Sequence, residues 1–490
     1  MFGERRHRAL LVILNWRDLK HPDAGGAEMV CERLARSSVV RGYEVVLLSA
    51  TVHGECRREK TDGYMIIRRG GRFTVYPWAL LWLALHRNQI IGVIDSQNGI
   101  PFFSPLALRP KTPVLMLLHH IHQEQFALYF SPFMAAVGRW LERYGSRFVY
   151  RDRSIVAVSP STRARARRTL GLKGDIVVIP PGTDAVVSDL ASRRRRSEHQ
   201  SIVCVGRLVA HKCTASIINA IPALLAEFPH VELHLVGDGP ERSAIEALVE
   251  SLGLSDRIIL HGPVSSSERD RILRTAWMSV NASEGEGWGL SVVEANAAGV
   301  PVLAYRRPGL RDSIRDGETG WLIDESQDLS SAIGYALRQV DNEEVAVALG
   351  QRTRQWASQF TWEKMADQVL LLLAAEAGRL AQSPNDRRTT TDLATVVRMP
   401  VDLIPDGIVP TFRDTDVCEI GDSDLVVLLR NTDTDTARSA LQRAGFSTRG
   451  IVDERLQISV ARHIDLVSPT IPASTSPVAP DRLPKNTLAG

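Results

Sequence analysis

Short apolar runs, each closed by glycine or a polar cluster and followed by a stretch of helical period, recur along most of this chain. Runs that are apolar at consecutive rather than alternate positions predict parallel strands buried on both faces. Ala9–Asn15 is the first, and a polar loop leads from it to Gly25-Gly26-Ala27-Glu28 and a helix reaching about Arg41. Gly42 ends that helix and Tyr43–Ser49 is the next strand, which completes a βαβ half of the mononucleotide-binding kind. Val93–Pro101 and Pro113–Gln125 read as strands with polar carboxyl ends. Ser154–Thr162 reads as a strand with a capped helix after it, and Asp175–Asp184 as the last strand of this half.

A second series follows. Ser201–Gly206 is an apolar strand with Arg207 and Lys212 just past its end. Val231–Pro240 and Arg257–Pro263 repeat the order of strand, glycine and helix. Trp277–Ala282 predicts a strand and Leu290–Ala298 a helix, joined through Glu284-Gly-Glu-Gly-Trp-Gly289. A helix opened by glycine offers free N–H groups and the positive end of a dipole, which suits phosphate oxygens. Glu294 lies one turn inside that helix, within reach of a sugar hydroxyl, and Glu286 sits at the mouth. Arg207 and Lys212, at the edge where open α/β sheets bind ligands, can neutralise a diphosphate. On spacing alone, a capped surface helix with two solvated glutamates and a solvated cationic loop fits too. Gly25-Gly26 likewise suits a plain tight turn as well as a close anion.

Four pieces in one order carry a resemblance: Gly206-Arg-Leu-Val-Ala-His-Lys212, Leu235-Val-Gly-Asp-Gly-Pro240, Glu286-Gly-Trp-Gly-Leu-Ser-Val-Val-Glu294, and Pro308-Gly-Leu-Arg-Asp312 with Asp316-Gly-Glu-Thr-Gly-Trp-Leu322. Residues 201–324 resemble the nucleotide-binding half of the family 4 retaining glycosyltransferases (glycosyl transferases group 1). The resemblance implies an α/β chain of the GT-B fold, with two Rossmann-like doubly wound domains facing a cleft. It also implies roles. Glu294 holds the ribose, Glu286 approaches the donor sugar, and Arg207 and Lys212 grip the diphosphate. Gly206, Gly237, Gly289, Leu290 and Ser291 complete the nucleotide-sugar site, with Gly25 and Gly26 meeting the donor phosphate. His119 stands over the reacting sugar, with His122 and Glu124 on the acceptor side and His120 structural. Cys213 departs from the pattern, since a small residue, often glycine, usually follows the lysine.

The activity implied is retaining transfer of a hexose from a nucleoside diphosphate sugar, of the GDP-mannose or UDP-glucose type, to a glycan, lipid-linked or small-molecule acceptor. That sugar nucleotide is a co-substrate; no cofactor and no metal are expected, and Asp433-Thr-Asp435 lies far from the other motifs. A sugar-nucleotide epimerase or a non-catalytic carbohydrate-binding scaffold would use the same fold. A zinc site on His120 and His122 lacks obvious further ligands.

Composition agrees. A chain of 490 residues holds two or three domains, and 44% hydrophobic with 23% charged residues is ordinary for a soluble enzyme. A net charge of +3 argues against a dedicated nucleic-acid binder. Five scattered cysteines without a CxxC pair point to a reducing compartment. The apolar run at 9–15 is too short to span a membrane, so a cytoplasmic protein is expected. Thr74–Arg87 and Phe133–Phe148 mix apolar residues with arginines, and core packing and peripheral contact with the inner face of a membrane both suit them. The run Arg193–Arg196 suits a solvated hinge. The expected divisions are 1–186 (acceptor-side domain), 198–375 (nucleotide-sugar domain), 376–395 (linker), 396–467 (a small α+β appendage) and 468–490 (a disordered tail).

Overall fold

The computed structural model describes residues 9–184, 196–381, 393–400, 416–420, 424–430, 432, 434–444 and 457–462. Arg193–Arg195, Asp433 and the tail 468–490 lie outside the described residues. The chain divides into two units, residues 1–179 with 363–490 and residues 180–362.

The first unit is built on β1 (Leu10–Leu14), β2 (Glu44–Ser49), β3 (Arg58–Thr61), β4 (Tyr64–Arg68), β5 (Ile90–Asn98), β6 (Val114–His120), β7 (Ile155–Ala157) and β8 (Ile176–Val178). Their order is β3-β4-β2-β1-β5-β6-β7-β8, parallel throughout except for β3 against β4. Every residue of β1 is buried, which is why its sequence shows no alternation. Val12, Leu14, Val93 and Met116 share a core with Val75, Ala79 and Leu83 of the helix Val75–His86. Core packing therefore accounts for one face of that helix, while Leu81 and Leu85 stay exposed.

The second unit carries β9 (Ser201–Val205), β10 (Glu232–Val236), β11 (Ile258–Gly262), β12 (Met278–Asn281), β13 (Val302–Tyr305) and β14 (Gly320–Ile323). They form a parallel sheet in the order β11-β10-β9-β12-β13-β14. Neighbouring residues of β9 feed opposite layers: Ile202 joins Ile217, Leu233 and Val280, and Val203 joins Val292, Val302 and Leu310. Both parallel sheets are doubly wound. Strand order reverses beside β1 and β5 in one and beside β9 and β12 in the other, and ligands of such sheets bind at the carboxyl ends there.

The helix Trp362–Ala381 continues past residue 375, where the nucleotide-sugar domain was expected to end. In the first unit it holds Leu373 against Gly92, where an added Cβ would lie 2.8 Å from that side chain. Further along, Glu376 accepts a 3.0 Å hydrogen bond from Ser154 Oγ. These contacts keep the polar end of the segment helical. Beyond it, β15 (Leu393–Pro400), β16 (Val417–Ile420), β17 (Asp424–Arg430) and β18 (Gln457–Arg462) form an antiparallel sheet in the order β16-β17-β15-β18. The helix Thr434–Arg443 closes its own small core of Val397, Met399, Leu425, Val427, Ala437 and Leu441.

Arg196, the described end of the arginine run, is not a solvated linker residue. Its guanidinium lies 4.3 Å from the Trp277 ring centroid and 2.9 Å from Glu343 Oε2.

Candidate functional site

Two loops meet at the reversal beside β9 and β12. After β9 the chain passes Gly206 and Arg207 into a short turn, Ala210–Lys212. Gly206 N–H donates to Val236 O at 3.0 Å, and Gly237 (φ +135°) passes so close that an added Cβ would stand 2.0 Å from Gly206 O. Only glycine fits there. Cys213 takes φ +51°, the left-handed region where glycine is at ease, which explains why this position differs physically from its neighbours.

After β12, Glu284 N–H donates to His211 O at 3.0 Å and ties the two loops together. Lys212 Nζ forms an ion pair with Glu286 Oε1, which also accepts from Ser283 Oγ at 2.9 Å. Burial pushes the Glu286 carboxyl up, but Lys212 and the Ser283 hydroxyl outweigh it and hold the group below the usual range. The carboxylate is ionised and opposed by an ammonium. Gly309 (φ +81°) packs over this loop: an added Cβ would lie 2.3 Å from Glu286 O. Arg207 is half-buried on the same loop as Lys212, and both charges act on His211, whose imidazole is lowered first by burial and then by Lys212.

Gly289 (φ +96°) opens the helix Leu290–Ala297. The N–H groups of Leu290 and Ser291 stand ahead of the first donors back to Gly289 O, those of Val292 and Val293. Asn281 Nδ2 donates to Ser291 Oγ at 3.4 Å. Glu294, buried on this helix, accepts from Arg269 Nη1 at 2.8 Å. Burial raises its carboxyl to about 7; Arg269 pulls it down, while Asp270 and Asp184 push it up. Arg269 was missed by sequence reasoning, because no local spacing connects the helix Ser266–Thr275 with Glu294.

The first unit has its own cluster at the β1–β5 reversal. Gly25 precedes the helix Gly26–Val40, and Gly25 N–H donates to Glu28 Oε2 at 2.7 Å. Glu28 Oε1 accepts from Arg17 Nε at 3.1 Å and Asn15 Nδ2 at 3.5 Å. Asn15 Oδ1 accepts from Ser96 Oγ at 3.5 Å, and Ser96 Oγ lies 3.0 Å from His119 Nε2. A buried polar chain thus connects His119 with the Gly25-Gly26 turn, which sequence spacing did not reveal. Burial, with a smaller contribution from His122, drops the His119 imidazole to about 3, so it is neutral. His122 lies beyond the end of β6. Its ring meets that of His120 edge-on at 5.1 Å, and no group of three metal-ligating side chains forms among the described residues. The structure thus brings Gly25, Gly26 and His119 together in one unit, and Gly206, Arg207, Lys212, Gly237, Glu286, Gly289, Leu290, Ser291 and Glu294 in the other.

The comparisons with known proteins bear on both clusters. The model for "Glycosyltransferase Family 4" matches residues 24–187, and that for "Glycosyl transferases group 1" matches residues 189–356. The chain belongs to the family 4 glycosyltransferases. A GDP-mannose-dependent alpha-(1-6)-phosphatidylinositol monomannoside mannosyltransferase of Mycobacterium tuberculosis is 28% identical over 228 residues, 43% of this chain. That alignment spans 59% of the relative's own length. The protein of the same description from Mycolicibacterium smegmatis is 26% identical over 387 residues, covering 72% of this chain and 96% of the relative. Sucrose-phosphate synthase from Thermosynechococcus elongatus shares the fold, with a TM-score of 0.62 at 20% identity over 74% of this chain and 98% of that one. This family 4 chain is thus of the GT-B class.

Proposed function

We propose that the chain transfers a hexose, with mannose from GDP-mannose as the first choice, from a nucleoside diphosphate sugar to a lipid-linked acceptor with retention at the anomeric carbon. The observation that carries this reading is the Lys212–Glu286 pair at the carboxyl ends of β9 and β12, beside a glycine-opened helix that bears Glu294. The related mycobacterial proteins, described as GDP-mannose-dependent and acting on a phosphatidylinositol mannoside, support the choice of donor and acceptor class.

As the sugar–phosphate bond breaks, the leaving diphosphate gains negative charge and the sugar becomes oxocarbenium-like. Lys212, Arg207 and the N–H groups of Leu290 and Ser291 are preorganised donors for that charge, the task that transferases of another kind give to a divalent cation. Glu286, kept ionised by Lys212, faces the sugar and accepts from its hydroxyls, and Glu294 accepts from the ribose. In the first unit, neutral His119 is suited to orient a hydroxyl and the Gly25-Gly26 turn to approach a phosphate. The departing phosphate takes the acceptor's proton on the same face, which retains configuration. An acceptor anchored in lipid also requires peripheral contact with a membrane. Among the described residues no helix is long and apolar enough to cross one.

Arg207→Ala and Lys212→Ala test the phosphate grip. Each is expected to lower acceptor-dependent release of nucleoside diphosphate about 10²–10³-fold, the usual cost of removing one such donor. Thermal melts should change far less for Arg207→Ala. Full turnover in both variants would refute the assignment. Diphosphate release that needs no acceptor would point to an epimerase instead.

A further inference from the structure

We propose that the helical segment 132–149 is the surface on which this chain docks to an anionic lipid bilayer. The proposal deepens the membrane contact named above and rests on that reading for its purpose, though not for its evidence.

The segment runs as one rod through Pro132–Trp140, a wider turn at Leu141–Gly145, and Ser146–Val149. Its inner face is tightly seated. Ala135, Gly138, Glu142 and Ser146 are buried at spacings of three and four. A Cβ added at Gly138 would stand 2.8 Å from the Phe126 ring, and one at Gly145 would stand 2.8 Å from that of Phe103. The outer face is of the opposite kind. Phe133 is 74% exposed, Trp140 59%, Tyr144 49% and Phe148 75%, at spacings that keep all four on one side of the rod. The Phe73 ring, itself 55% exposed, lies 6.1 Å from that of Phe130, so a second loop extends the apolar surface.

Large aromatic side chains left in water on a well-packed helix mark a surface meant to be covered. The charges around them indicate by what. Arg143 lies 5.4 Å from the Tyr144 ring centroid, Arg151 5.5 Å from that of Phe148 and Arg72 4.5 Å from that of Phe130. Arg147 is exposed on the same rod. Between residues 132 and 151 the acidic residue is Glu142, which is buried on the inner face; Asp152 follows and pairs with Arg151. A second copy of the chain, meeting this face in a two-fold contact, would set arginine against arginine. A bilayer rich in anionic headgroups instead offers each guanidinium a phosphate and each ring the interfacial layer where aromatic side chains partition.

The same rod also reaches the acceptor side. Glu142 accepts from His122 N–H at 2.7 Å and from Gln123 Nε2 at 2.7 Å. Docking the outer face therefore sets the loop after β6 directly behind the docked rod, one helix diameter (~10 Å) from the lipid surface that would present the acceptor.

The test uses the full chain and sedimentation with vesicles of phosphatidylcholine, alone or mixed with phosphatidylglycerol. The wild type is expected to bind the mixed vesicles, less so as salt rises. Trp140→Ser with Phe148→Ser, and Arg143→Glu with Arg147→Glu, should each weaken binding by about tenfold or more. Thermal melts and calorimetric titration with the sugar nucleotide should match the wild type, which separates this surface from the donor site. Equal vesicle binding by the variants, or none by the wild type, overturns the proposal. So does a wild-type dimer that the serine variants abolish without any dependence on lipid.

Discussion

At the scale of single residues, Glu294 is strongly shaped by its surroundings. Burial holds its carboxyl near neutrality, and Arg269 is the cation that pulls it down. Its folded-state value lies above the unfolded one, so ionised Glu294 costs stability, and the cost grows as pH rises through the folded value. Glu294→Gln is therefore expected to raise the melting temperature above the wild type's near pH 8–9 and to leave it unchanged near pH 4, as melts across about pH 4–9 would check. Arg269→Gln acts in the other direction. Without the guanidinium the carboxyl rises further, and donor affinity, which on the proposed assignment needs the carboxylate, should begin to fall at a higher pH than in the wild type. Calorimetric titrations across the same range decide this, and an unmoved profile would leave Arg269 a purely structural partner. The motif around Glu286 and Glu294 was legible because a glycine-opened helix start is written in consecutive residues. The Arg269 contact was not, since it joins two helices whose meeting depends on the whole sheet. Nor was the chain from His119 through Ser96 and Asn15 to Glu28, which crosses from β6 to β1 by way of β5.

At the scale of elements, the loops that would shape the proposed donor site depend on close backbone approach. Gly309→Ala would place a methyl group against the Glu286 carbonyl at φ +81°. The backbone conformation alone costs about 1–3 kcal/mol, and the contact adds to it. A lower denaturation midpoint, together with weaker donor binding, is expected, because relief of the clash displaces Glu286; donor binding equal to the wild type's would show the loop to be more forgiving. Buried parallel strands were easy to read, since strands covered on both faces are apolar throughout. The antiparallel hairpin of β3 and β4 was not, because Arg58-Glu-Lys-Thr61 is polar and lies at a sheet edge. The signal available there was Asp62-Gly63, both at positive φ, the usual chemistry of a tight hairpin turn. The end of the helix Trp362–Ala381 was misread for a related reason. Its polar last turns look like linker until Glu376 finds Ser154 and Arg379 in the first unit.

At the scale of the whole molecule, the parallel sheets followed from the alternation of strand and helix, and the GT-B class from the motifs the chain shares with its family. The sheet of β15 to β18 with its helix is the small α+β appendage the sequence led one to expect, and β15 and β16 were its harder strands to read, although Pro400 closes the one and Gly421 follows the other in sequence. That sheet has its own core, and Arg163 Nη1 donates to Thr436 Oγ1 at 3.2 Å on its helix. A chain ending after Ala381 is expected to bind the sugar nucleotide within about twofold of the full chain, the margin usual for distant independent parts. Calorimetry on the truncated protein checks this, and a larger loss would give the appendage a part in the donor site. One further consequence lies in how the chain enters and leaves the unit of residues 180–362. Thr183 pairs with Thr361 across a β-bridge, Thr183 N–H donates to Phe360 O at 3.1 Å, and Gly182 lies so near Trp362 N that a Cβ would stand 2.2 Å away. The doorway in and the doorway out are side by side. Exchanging this half for a relative's therefore takes two cuts a few ångströms apart, and on the proposed assignment preference for the activated sugar is expected to move with it like a cassette.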